Sequence, residues 1–196
     1  MWLSFIGSKD KTKHSENVYL KENHIYFRSS VSEKNINKLY DLITEYNTNI
    51  ESLKTKHHLK SLVPKPIYLH IMTTGGSIQA SLYGYDIIKN SKVPIYTIIE
   101  GHTYSGGTIL LLAGKKRFAT QNATLLIHNI SSQLEGTPKQ INYEITRLKI
   151  FTNKMKKIYL ENTKIKKSLL NKYFDGDHYI DIQKCLQLGI VDEIYE

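Results

Sequence analysis

Ser105 lies in the run Gly101-His102-Thr103-Tyr104-Ser105-Gly106-Gly107, between two apolar segments, Val93 to Ile99 and Thr108 to Ala113. The first segment reads as a fully buried strand and the second as a short buried helix, with a tight turn over 101–107 between them. A serine at that junction stands at a helix N-terminus, where backbone N–H groups lack partners and the helix dipole favours negative charge. Such a place suits an alkoxide nucleophile and the oxyanion formed when it attacks a carbonyl. The logic is that of a nucleophile elbow, although Thr103 stands where a G-x-S-x-G run has its first glycine. A helix-capping serine with glycines for close packing would read the same way.

A serine hydroxyl needs a base to act as a nucleophile. Of the eight histidines, His128 ends the apolar stretch Leu125-Leu126-Ile127. A ring at a strand terminus can face the crevice that Ser105 faces; a turn histidine is the alternative. The orienting carboxylate must come from the 18 acidic residues, and spacing does not choose among them.

The elements that must position these groups follow from periodicity. Ile25 to Arg28 reads as a first strand. Ser30 and Ser32 offer caps for a helix carrying Ile36, Leu39, Ile43 and Ile50. The basic stretch Leu53 to Pro66 reads as a loop or a frayed helix end. Ile67 to Met72 is a strand closed by Gly75-Gly76-Ser77, and Ile78 to Ile88 is helical. Two short strands, Arg117 to Ala119 and Thr124 to Ile127, precede a long helical period from Pro138 to about Asn162, through Ile141, Ile145, Leu148, Phe151, Met155 and Ile158. Thr137 and Pro138 suit its cap and first position. Shorter helices are expected over Ile165 to Tyr173 and Ile182 to Leu188. Alternating strands and helices predict an α/β fold with parallel strands, whose sites lie at strand C-termini. Both glycine pairs, Gly75-Gly76 and Gly106-Gly107, fall there.

Taken in order, Gly75-Gly76-Ser77, Tyr104-Ser105-Gly106-Gly107, Leu110 to Gly114, Leu126-Ile127-His128, Asp177-His178-Tyr179-Ile180 and Leu188-Gly189-Ile190-Val191-Asp192 resemble the proteolytic subunit of the Clp protease, from about Ile25 to the C-terminus. The separations from Gly75 to Ser105, Ser105 to His128 and His128 to Asp177 are 30, 23 and 49 residues; the first and last agree with that family and the middle one is slightly short. The resemblance implies a repeated β-β-α superhelix with a protruding handle, a strand plus the long helix, over about 129–163. Residues 1–22 would be a flexible arm and 23–196 a single peptidase domain. It implies Ser105 as nucleophile, His128 as base and Asp177 as orienting acid, with Asp175 the alternative, and the backbone N–H groups of Gly76 and Gly106 as oxyanion donors. It further implies a homo-oligomer of stacked heptameric rings enclosing the sites, protein or peptide substrates, and a Clp-type AAA+ unfoldase as partner. No cofactor is expected in this chain; ATP would be used by the partner. Two alternatives are a non-catalytic ring subunit or adaptor beside an active paralogue, and a crotonase-like enzyme acting on acyl-CoA, which the three side chains disfavour.

Bulk properties agree. With 196 residues and 40% apolar content the chain suits one core. No apolar run approaches the ~20 residues of a membrane span, and the N-terminal apolar stretch is too short for a signal peptide. The net charge of +9 comes from scattered lysines with no nucleic-acid-binding motif, so solvated helix faces are expected rather than a specific nucleic-acid or membrane surface. The single cysteine, Cys185, excludes an internal disulfide and a Cys-based metal cluster, and is expected to be a buried thiol. A cytoplasmic location follows, an organelle stroma or matrix being the variant.

Overall fold

The computed structural model describes residues 17–56 and 63–196. Its centre is an eight-stranded sheet. Strands β1 (Val18–Lys21) and β2 (His24–Phe27) form a hairpin; β2, β3 (Ile67–Thr73), β4 (Ile95–Tyr104), β5 (Lys116–Ala119) and β8 (Glu193–Ile194) then run parallel in that order. Residues 17–22, expected to belong to a flexible arm, therefore lie largely in a paired strand, because Tyr19 and Leu20 find partners in Tyr26 and Ile25. Residues 1–16 lie outside the described residues, as do 57–62 of the stretch expected to be a loop; the helix before it continues to Lys56.

The expected turn over Gly101 to Gly107 is instead mostly strand. β4 continues to Tyr104 and changes partner on the way. Tyr96–Ile99 pair with β5, whereas His102–Tyr104 pair with β6 (Thr124–Ile127). Gly101, at φ +64°, makes the bend between the two halves, a conformation that costs a glycine little. Backbone hydrogen bonding to β6 outweighs the turn preference of the glycines. β6 in turn pairs antiparallel with β7 (His178–Asp181).

Helices α1 (Glu33–Lys56), α2 (Ile78–Lys89) and α3 (Gly106–Leu112) pack against the sheet face formed by Ile25, Phe27, Ile67, Leu69 and Ile71, all fully buried. Ser32 accepts from the Asn35 amide at the start of α1, and Ser77 caps α2. α4 (Pro138–Asn162) opens with the expected Thr137 cap and Pro138. Its period does not bury its first half: only Met155, Ile158 and Tyr159 are buried, and Tyr143 and Ile150 are exposed. That half projects from the domain. The strand expected beside it is absent: residues 129–135 carry no regular structure, since a strand needs a neighbour for its ladder and none pairs with this segment among the described residues. The chain closes with α5 (Lys167–Tyr173) and α6 (Ile182–Gln187). On α6, Cys185 is fully buried and burial pushes its thiol up to about 12.

The opposite face of the sheet is aromatic. Alternation places His24, Tyr26, Tyr68, His70 and Tyr96 there, ring against ring. His70, 4% exposed, uses both ring nitrogens. Its Nδ1–H donates to Glu100 Oε1 at 2.7 Å, and its Nε2 lies 2.9 Å from His24 Nδ1. Arg28 donates to the other Glu100 oxygen at 2.9 Å. Burial, and then the neighbouring His70, hold His24 below its ordinary value of 6.5, partly offset by Glu22. The His70 hydrogen bond holds Glu100 below its ordinary 4.5, against its partial burial, with Arg28 adding to the effect. Both groups hold fewer protons folded than unfolded, so their stabilisation is full above the unfolded values and lost on acidification, first through His24 and later through Glu100. The urea midpoint is therefore expected to fall between about pH 7.5 and about pH 5.5, and to fall less in His24→Asn. An equal fall in both proteins would assign the acid sensitivity to other groups.

Candidate active site

Ser105 occupies the corner between β4 and α3 with φ +53° and ψ −126°. A non-glycine residue in this region costs about 1–3 kcal/mol and persists only where its surroundings over-determine it. Here they do. The Ser105 amide donates to Leu126 O at 2.9 Å, and its carbonyl accepts from the Thr108 amide at 3.0 Å and the Thr108 hydroxyl at 2.7 Å. Ser105 stands at the N-cap position of α3, yet its side chain makes no capping hydrogen bond. A capping serine takes extended dihedrals and accepts from the helix, so this hydroxyl is not a cap. Thr103, in place of an elbow's first glycine, is fully buried and donates to Ile71 O at 3.0 Å, which ties the end of β4 to β3.

His128 follows β6, the strand that pairs with the end of β4. Ser105 and His128 line one cavity of about 200 Å³. Asp177 reaches His128 through register. In the β6–β7 ladder Thr124 faces Asp181 and Ile127 faces His178, so the next pair out is His128 and Asp177. His128 Nδ1 lies 3.6 Å from Asp177 Oδ1. That is ion-pair distance and longer than a hydrogen bond. Asp175 sits in the turn after α5, and among the described residues Asp177 is the carboxylate that pairs with His128.

The two glycines of the β3–α2 turn face Ser105 from the other side. Gly75 and Gly76 have φ +96° and +150°. A methyl group at Gly75 would lie 2.6 Å from Ser105 Cβ and 3.1 Å from the Gly106 nitrogen. The absence of a side chain therefore lets this turn close onto the serine corner. Val31 bridges Gly76 by donating to Gly75 O and accepting from Ser77 N, both at 2.8 Å. In a parallel bridge that leaves the N–H of Gly76 itself pointing away from Val31. Gly106 is the first residue of α3, where an N–H has no intrahelical partner. Both glycines line the cavity with Ser105.

Two features were not legible in the sequence. Leu148 and Met155, two positions of the long helical period, wall the cavity, with Arg147 beside them; their seven-residue spacing marks one helix face but not what it meets. Tyr104, next to the serine, turns away and packs edge-on against Tyr179 with its hydroxyl on Thr124. Among the described residues no group of three His, Cys, Asp or Glu side chains could hold a metal ion, and no helix is long and apolar enough to cross a membrane.

The chain is similar to known proteins. The ATP-dependent Clp protease proteolytic subunit 2 of Treponema pallidum is 30% identical over 141 residues, 70% of this chain and 71% of that protein. The protein of the same description from Treponema denticola is 28% identical over 191 residues, 96% of this chain and 92% of that one. A solved structure of a ClpP1 point mutant from Listeria monocytogenes superposes with a TM-score of 0.71 at 20% identity, covering 86% and 88% of the two chains, a likeness of fold. The Clp protease family model matches residues 9–196, a stretch that contains the Ser105 corner, the β3–α2 glycine turn and the β6–β7 ladder, and the chain belongs to that family of peptidases.

Proposed function

We propose that this chain is a serine endopeptidase in which Ser105 attacks the scissile carbonyl, His128 takes the serine proton and returns it to the leaving amine, and Asp177 fixes the ring of His128 and stabilises its charged form. The N–H groups of Gly76 and Gly106 receive the oxyanion. The observation that carries this reading is the Ser105 corner: a strained, uncapped serine in the same cavity as His128, which lies beside Asp177. The 3.6 Å spacing between His128 and Asp177 must shorten to about 2.7–2.9 Å for a charge-assisted hydrogen bond; catalytic contacts are commonly loose before substrate binds.

The protein works as stacked heptameric rings that enclose these sites, fed by a separate Clp-type AAA+ unfoldase that uses ATP, and this chain needs no cofactor of its own. The exposed apolar side chains on the projecting half of α4, Tyr143 and Ile150, suit burial between copies. The same His128–Asp177 spacing favours a second reading, a non-catalytic ring subunit or adaptor. A serine-directed phosphonate separates the two. It is expected to add its mass to the peptide carrying Ser105 and to stop short-peptide hydrolysis. An intact ring with no adduct and no turnover would favour the second reading.

A further inference from the structure

Tyr159 is fully buried on α4, and its hydroxyl meets the Thr108 hydroxyl on α3. Thr108 Oγ1 also donates to Ser105 O at 2.7 Å. A carbonyl oxygen only accepts, so the single Thr108 proton is committed to Ser105. Tyr159 must therefore donate to Thr108 Oγ1. The result is a buried relay running from the Tyr159 O–H through Thr108 to the carbonyl of the residue in the strained corner. Burial holds the Tyr159 phenol well above its ordinary range, which keeps it a neutral donor. α4 carries both ends of the arrangement: Leu148 and Met155 wall the cavity, and Tyr159, one turn beyond Met155, reaches the serine corner from behind.

We propose that Tyr159 is a positioning residue which, acting through the Thr108 hydroxyl, holds the Ser105 corner in its reactive conformation and ties it to the helix that walls the substrate cavity. This rests on Ser105 being the nucleophile. Without the relay the corner keeps the hydrogen bonds from the Ser105 N–H to Leu126 O and from the Thr108 N–H to Ser105 O, so it loosens rather than unfolds. A displacement of a reacting atom by a fraction of an ångström is enough to slow an attack.

Tyr159→Phe is expected to lower kcat for a short peptide, and the rate of phosphonate labelling, by about three- to tenfold with KM within about twofold. Thr108→Val is expected to lose more, about ten- to thirtyfold, and Thr108→Ser, which keeps the hydroxyl, to stay within about threefold of the parent. Thr108→Val alone strands the Tyr159 hydroxyl in the core, so its loss could reflect instability. The double variant Thr108→Val/Tyr159→Phe leaves no orphaned group, and its stability is expected to recover. If the hydroxyls position the serine, the rate of the double variant stays low despite that recovery. A double variant with both stability and kcat restored, or a Thr108→Ser as slow as Thr108→Val, would reduce the pair to a packing contact and overturn the proposal. Amide hydrogen exchange is independent of turnover. Tyr159→Phe is expected to speed exchange in a peptide spanning 104–109 by about three- to tenfold, leaving β2 and β3 unchanged. Unchanged exchange there would overturn the proposal even if Ser105 proved catalytically silent, whereas a dead Ser105→Ala with fast exchange in Tyr159→Phe would uphold both readings.

Discussion

Ser105→Gly is expected to abolish peptide hydrolysis and to make the protein more stable. The loss of activity follows from the role of the hydroxyl: removing the nucleophile from a working triad costs on the order of 10⁶-fold in kcat. The gain in stability follows from the backbone. Ser105 sits at φ +53°, where a residue with a Cβ is strained by about 1–3 kcal/mol. Glycine relieves that strain and gives back about 0.4–1 kcal/mol by loosening the unfolded chain. The side chain contributes no capping hydrogen bond that would be lost. A net gain of about 1 kcal/mol is expected, read as a higher urea midpoint at fixed protein concentration. Ser105→Ala keeps the strain, so it is expected to be equally inactive with stability within about 0.5 kcal/mol of the parent. A glycine variant less stable than the alanine variant would show that the corner is not strained as described. Retained hydrolysis in either would remove Ser105 from the chemistry.

The contrast between these variants also explains what the sequence could reveal. The glycines around Ser105 and the apolar segments on either side placed a serine at a strand-to-helix junction, but a cap and a nucleophile share that pattern. Backbone dihedrals separate them. His128 was legible as the end of an apolar strand. Asp177 was not legible from spacing, because 49 residues separate it from His128; it reaches the ring only through the antiparallel register of β6 and β7. Family resemblance singled it out in place of that register. The turn expected over 101–107 failed for a related reason: Gly101 bends β4 and hands it from β5 to β6, a long-range pairing that local preference does not encode. The period of α4 marks a helix but not what its apolar stripe meets, and its projection from the domain came from the family resemblance. An apolar stripe is the same signal whether it faces its own core or projects toward another surface. The Thr108–Tyr159 contact joins residues 51 apart and leaves no local trace.

Gly75→Ala is expected to slow turnover by about 10²–10³-fold, although residue 75 takes no part in the chemistry. The new methyl would meet Ser105 Cβ at 2.6 Å and Tyr104 O at 2.8 Å. Neither neighbour is the free end of a flexible side chain, so the β4–α3 corner or the β3–α2 turn must move. The turn carries Gly76 and the corner carries Gly106, so any movement separates the two N–H groups proposed to receive the oxyanion. Losing one such donor costs about 10²–10³-fold in kcat. Alanine at φ +96° adds backbone strain to the clash, for a stability loss of about 2–4 kcal/mol. Gly189→Ala separates the effects. It also places a Cβ at positive φ, +65°, but its nearest neighbour is the Lys164 side chain at 3.1 Å, which can swing aside. That variant is expected to lose about 1 kcal/mol and keep its kcat. The measurement is kcat per folded chain, with folded fraction taken from urea titration. If Gly75→Ala turns over like Gly189→Ala once corrected for folding, the closeness of the glycine turn to Ser105 has no catalytic meaning and the oxyanion donors must be sought elsewhere.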